Sequence, residues 1–250
     1  QKVRDDVLSQ MTTPSFADHH YAVYGNNYTY PLEVNTDNGI DYFEEAEVPF
    51  YTDMFKSEKY IETKQHLIHY RFGGDTFHTL HPNSQESIIS AEIEFDQNRH
   101  DPLYDFSAVV IKYAKAVELE LYLFIRSTMH YLTIRDTNIS MIGYQVQGSA
   151  YQISDLQQTK PNIGTYKFLL GHPEIKNAIV AHIENPQLRN FLQHGLRYSI
   201  SAIQDIRNES AHGSVTPIKE CESMRSQVMG IGVSGMLADL IINKKKLLNL

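Results

Sequence analysis

The chain has 250 residues, with 22 Lys plus Arg against 30 Asp plus Glu, a formal charge of −8 and a sequence pI of about 5.8. That balance argues against a protein that grips nucleic acid or a membrane surface by bulk positive charge. Hydrophobic residues make up 42% and charged residues 21%, which excludes the composition of a disordered chain. The single cysteine, Cys221, rules out an internal disulfide framework and any multi-thiolate zinc site, and fits a reducing compartment. No run approaches the ~18 to 20 apolar residues that span a bilayer, and the N-terminus lacks the basic-then-apolar order of a signal peptide. A cytoplasmic protein that does not enter the membrane is expected. The chain starts at Gln1 rather than Met, which leaves room for a regulatory partner or a further domain upstream.

In chain order, residues 1–100 are rich in turn signals, at Gly25-Asn26-Asn27, Asn38-Gly39 and Gly73-Gly74-Asp75. They are expected to form a smaller, less regular N-terminal region of α+β type with a sensing or regulatory role. Ile68, Tyr70 and Phe72 alternate with His69 and Arg71 before the glycines, and Phe77 continues toward Leu80, the pattern of a β-hairpin. Ile89, Ala91, Ile93 and Phe95 alternate as in a half-buried strand. A helix is an open alternative for both runs, since Glu58 to Tyr70 also fits helical spacing.

The polar stretch Gln97 to Pro102 marks an expected domain boundary, after which helical periodicity takes over. Asp101-Pro102 supplies a cap and a first-turn proline, and Phe106, Val110, Tyr113, Val117, Leu121 and Phe124 recur at three- and four-residue steps. This predicts a long helix over 102–131. Further helices are predicted over 173–183, 186–212 and 217–246, with Gly213 as a left-handed terminator and Thr216-Pro217 as a restart. Residues 132–172 are less regular. The expected fold class is mainly α: an antiparallel helical bundle over 101–250.

Four histidines stand as His66-x-x-His69 and His78-x-x-His81. On a helix each pair could share a zinc ion, whereas on the preferred hairpin a three-residue step puts the two rings on opposite faces. Leu67 and Ile68 replace the glutamate of a zinc-protease helix, and no metal or cofactor is expected. The run Gly230 to Gly235 lacks the Gly-Lys-Ser ending and preceding strand of a phosphate loop, and reads as small residues for close helix packing. Lys244, Lys245 and Lys246 sit near a helix C-terminus, where cations complement the dipole. A weak RNA-backbone contact is the other reading.

The strongest constellation is Arg207-Asn208-Glu209-Ser210-Ala211-His212. His212 falls in the last predicted turn, where the negative end of the helix dipole favours a protonated imidazole suited to proton transfer. Arg207 lies one and a half turns earlier, placing a guanidinium fork to grip a phosphate beside that imidazole. The plainer reading has His212 capping carbonyls and Arg207 paired with Glu118 or Glu120.

The run Arg207 to Gly213 resembles the Arg-x(4–6)-His motif of the HEPN superfamily (higher eukaryotes and prokaryotes nucleotide-binding domain). Lys115 to Leu121 is similar to that superfamily's first long helix, in which an acidic residue, here Glu118, faces the motif. Ser214 to Ile218 resembles the turn into its closing helix, so the resemblance covers about residues 101–248. It implies a metal-independent endoribonuclease of a toxin or defence system, in which two copies of His212 and Arg207 meet in one cleft of a homodimer and Asn208 orients His212 or contacts phosphate. A catalytically silent HEPN module that binds or dimerises beside a nucleotidyltransferase or an ATPase is the alternative.

Overall fold

The computed structural model describes residues 58–146, 148–211, 215–231 and 234–250. The turn signals at Gly25 and Asn38 lie outside the described residues, as do His212, Gly213 and Ser214 of the motif region. The described chain is mainly helical, with one two-stranded antiparallel sheet. Helix α1 (Glu58–Leu67) runs into a π turn (Ile68–Phe72), then α2 (Gly74–Thr79), α3 (Pro82–Asn98) and α4 (Ser107–Arg135) follow. Two 3₁₀ turns flank β1 (Gly143–Val146) and β2 (Ser149–Gln152), paired in the register Tyr144 to Tyr151. Next come α5 (Ile163–Gly171), α6 (Pro173–His182) and α7 (Pro186–Asn190), then a π turn (Phe191–Gly195) that leads into α8 (Leu196–Ala211). The described chain closes with α9 (Ile218–Met229) and α10 (Met236–Leu248).

The 29 residues of α4 make it the axis of the bundle. Helices α3, α8, α9 and α10 pack around it. Its buried side chains therefore cover more than one face: Val109, Tyr113, Val117 and Phe124 are joined by Val110, Ala114, Leu121 and Ile125. The predicted start of this helix is corrected. Asp101 accepts from the Leu103 N–H at 2.9 Å and closes a local turn, and α4 begins only at Ser107. Asp105, one residue before the capping position at Phe106, accepts from the Ser107 N–H at 3.0 Å. The same Asp105 oxygen accepts from the Thr216 N–H at 3.0 Å, so the start of α4 and the approach to α9 share one carboxylate. The Ser107 hydroxyl, which donates to the same oxygen at 2.6 Å, and then these two N–H groups hold the Asp105 carboxyl below the ordinary carboxylate range.

Residues 68–72, 74–79 and 89–95 are helical rather than β, and among the described residues the one hairpin lies at 143–152. In α3 the buried face comprises Gln85, Ile88, Ile89, Glu92 and Phe95, a helical stripe in which two polar residues occupy core positions. Glu92 makes this possible through its partners. Arg225 of α9 donates to both of its carboxylate oxygens at 2.7 Å, and Tyr113 of α4 donates its hydroxyl to the same carboxylate. The Arg225 guanidinium also lies over the Phe95 ring, 4.9 Å from its centre. Across the predicted boundary at 97–102 the core is continuous: Phe95 and Phe106 touch rings at 6.0 Å, and both belong to the cluster that includes Leu240.

The helix predicted over 217–246 is split in two. Gly230 adopts the left-handed conformation (φ 83°) and ends α9. A Cβ on Gly235 would stand 2.5 Å from the Gly230 nitrogen, so a glycine is needed where the chain crosses back over the helix end. Gly230 and Gly235 thus turn the chain instead of forming a packing stripe.

Candidate functional site

Helix α8 lies against α4, with the apolar residues Leu196, Ile200 and Ile203 turned inward and fully buried. Arg207 continues this helix toward its end and meets Glu118 on α4, with its Nε 3.4 Å from Glu118 Oε1. Its Nη1 also donates to the side-chain oxygen of Asn208 at 3.3 Å. Arg207 keeps 38% and Glu118 22% of their side-chain surface in solvent. An ion pair this open is screened and contributes no more than about 1 kcal/mol. A phosphate can therefore replace Glu118 as the partner of Arg207 at small cost.

Beside this pair opens a groove of about 700 Å³. Glu118, Arg207, Asn208 and Gln204 form one wall, and the loop from Lys160 to Thr165 forms the other. The first turn of α5, with Gly164 and Thr165, faces the groove, where the partial positive charge of a helix start adds to that of the cations. Gln204 lies so close over this turn that a Cβ on Gly164 would stand 3.0 Å from its amide nitrogen. The structure thus brings Arg207, Asn208 and Glu118 together. His212, the fourth residue of the predicted site, follows Ala211 directly in the chain and lies outside the described residues.

Lys160 is the groove residue that sequence reasoning missed. It is exposed and stands across the groove from Arg207, in a segment without periodicity. The one signal was the loop composition Thr159-Lys160-Pro161-Asn162, a turn that carries a cation between two predicted helices.

The lysine cluster is corrected. Consecutive residues on a helix point about 100° apart, so three lysines in a row cannot share a face. Lys244 is buried at 3% exposure, Lys245 pairs with Asp75 and Lys246 is half-buried. Lys244 instead supplies charge to a buried polar group around Glu120. Glu120 accepts from the backbone N–H of His81 at 2.6 Å, and burial pushes its carboxyl above the usual range while Lys244 and that N–H pull it back. His81 is lowered to about 4, first by burial and then by the charges of Lys244, Arg126 and Lys160. Glu120 is therefore spent on the fold and is not the partner of Arg207.

The other histidines do not converge. His69 Nε2 pairs with Gln65 Oε1 at 3.0 Å, the His66 ring rests against Tyr70 at 5.2 Å, and His81 Nδ1 accepts from the Asn83 N–H at 3.1 Å to cap α3. Among the described residues no group of three His, Cys, Asp or Glu side chains is placed to hold a metal ion. No described helix is long and apolar enough to cross a membrane. Comparison of the chain with protein-family models, with curated protein sequences and with solved structures finds no match.

Proposed function

We propose that this chain is a metal-independent endoribonuclease of a toxin or defence system, with Arg207, Asn208 and His212 as its catalytic residues. The observation that carries the proposal is the half-exposed guanidinium of Arg207. It stands at the edge of a polar groove, next to Asn208 and opposite Lys160, on the helix that leads into His212. The reaction is attack of a ribose 2′-hydroxyl on the adjacent phosphorus. A base takes the 2′ proton, the bond to the 5′-oxygen breaks, and an acid returns a proton to that leaving oxygen, giving a cyclic phosphate and a free 5′-hydroxyl. Arg207 counters the charge that develops on the phosphorane. One His212 cannot hold both sides of the phosphorus, so a two-fold dimer that joins two motifs completes the acid and base pair.

A second reading, a silent module that binds or dimerises beside a nucleotidyltransferase or an ATPase, draws on the contact between Arg207 and Glu118, which already gives the guanidinium a partner within the fold. One experiment separates the two. Purified protein is incubated with mixed RNA in EDTA, alongside His212→Ala. Cleavage by wild type alone, leaving cyclic phosphate ends, supports the nuclease. RNA left intact by wild type, or cut equally by both proteins, overturns it.

A further inference from the structure

Two further depressions continue from the Arg207 groove along α4. The first, of about 380 Å³, shares Glu118 and Lys160 with the groove and adds Lys115, Gln157 and Gln158. The second, of about 460 Å³, shares Ser87 and Lys115 with the first and reaches Lys112 and Tyr60. On α4 the wall residues Lys112, Lys115, Leu119 and Tyr122 recur at three- and four-residue steps, so they lie along one side of the helix for about 15 Å.

The chain carries −8, yet along the three depressions the cations Lys112, Lys115, Lys160 and Arg207 outnumber the lining carboxylates, Glu86 and Glu118. Lys112 is neutralised by Glu94. Lys115 is exposed and enters no ion pair among the described residues. Between the cations stand the exposed amides of Gln157 and Gln158. The aromatic nearest to them, Tyr122, is 6% exposed and gives its hydroxyl to the Leu156 carbonyl at 2.9 Å, so it offers no face for a base to stack on. Tyr60, in the second depression, is half-buried and packed against the core, so spaced cations and amides with little aromatic surface between them match a chain of phosphates better than a set of bases. Depressions of a few hundred cubic ångströms admit one strand.

We infer that the three depressions form one track for single-stranded RNA, in which Lys160 and Lys115 take successive phosphates leading away from Arg207. The inference rests on the ribonuclease reading and adds to it where the strand lies and what holds it. Affinity then comes from the backbone, with weak preference for base sequence and strong dependence on salt.

The test compares wild type with Lys115→Gln, Lys160→Gln and the double variant, with Lys219→Gln, an exposed lysine on α9, as the matched control. Fluorescence anisotropy of a labelled oligouridylate is read across a salt series, and cleavage of unlabelled RNA is followed in parallel. Each track variant is expected to weaken binding roughly threefold or more at low salt, and the double variant to flatten the salt slope by about one to two units. Lys219→Gln should bind like wild type. If wild type binds or cuts RNA and the track variants match Lys219→Gln, the track is overturned while the nuclease stands. If the track variants lose binding but wild type cuts nothing, the track stands and the nuclease falls. Absence of RNA binding by wild type overturns both.

Discussion

The Glu92–Arg225 pair and the Glu118–Arg207 pair use the same two functional groups within one bundle, yet they differ in every respect that decides what an ion pair can do. Glu92 and Arg225 meet through two bonds of 2.7 Å with 7% and 16% of their side chains exposed, and Tyr113 fills a further acceptor site. Glu118 and Arg207 meet through one contact of 3.4 Å and keep 22% and 38% of their side chains exposed. The first pair joins α3, α4 and α9, and its charges are satisfied entirely by each other and by Tyr113. The second is loose and borders a groove, so its arginine is available to another anion. Burial separates an arginine that holds the fold from one that can act on a ligand.

The contrast is sharpest where activity and stability are measured on the same variants. Arg207→Ala and His212→Ala should each lower RNA cleavage by about 10²- to 10⁴-fold, through lost phosphorane stabilisation and lost proton transfer respectively. Chemical denaturation of Arg207→Ala should show a change within about 1 kcal/mol. A larger loss of stability would place Arg207 with the structural pair.

Arg225→Ala should behave in the opposite way. It leaves the buried Glu92 carboxylate with Tyr113 but no counter-charge, and should cost about 3–5 kcal/mol in denaturant unfolding, with cleavage per folded molecule unchanged. Replacing Glu92 and Arg225 together by Met should recover most of that loss, because no unpaired charge remains.

A third test uses pH. His81 is held near 4 in the folded chain against 6.5 for an ordinary imidazole, so between these values the unfolded chain binds the extra proton. Its contribution to stability is complete above pH 6.5 and is lost as pH falls toward 4, at about 1.4 kcal/mol per unit. The raised Glu120 works against it, since the folded state takes up that proton first. His81→Asn keeps a side-chain oxygen for the Asn83 N–H and removes the imidazole. Its unfolding free energy should fall less steeply than that of wild type across this window.

The smallest effect is expected from Glu118→Gln. Stability should move by less than about 1 kcal/mol, and KM for RNA should drop because Arg207 no longer has a resting partner, while kcat holds. A collapse of kcat would assign Glu118 to the chemistry itself.

Much of the bundle was legible in the sequence, for a physical reason. Over 106–124 the apolar residues have no good fit to a two-residue period, and the 3.6-residue period wins outright. In 85–95 both periods fit, because Glu92 and Gln85 occupy buried helical positions that a hydrophobicity pattern scores as solvent. The partner that makes Glu92 a core residue is Arg225, 133 positions away, and no local window contains it. The contact of Arg207 with the long helix was legible as a pairing with Glu118 or Glu120, and burial of Glu120 decides between them. Lys160 was not, since a loop residue earns its place from the two helices that it happens to lie between. Lys244 was misread because three adjacent lysines look alike in sequence, although the helix turns one of them inward.

The π turn at Phe191–Gly195 has a consequence for Arg207 twelve or more residues further on. Leu188, Leu192, Leu196 and Ile200 are all fully buried, and they follow one another at steps of four. In an unbroken α-helix four residues overshoot a full turn by about 40°, so such a stripe would wind around the helix and out of the core. The wider turn absorbs the overshoot and keeps the stripe in phase with α4. The bearing of Arg207 is thus set upstream, much as a spacer ring sets the angle of every part mounted beyond it. Rewinding the same residues as ordinary α-helix would restore an overshoot of about 40° for every four of them and turn α8 about its own axis, carrying Arg207 away from Glu118 and Lys160 with every groove residue still present in the chain.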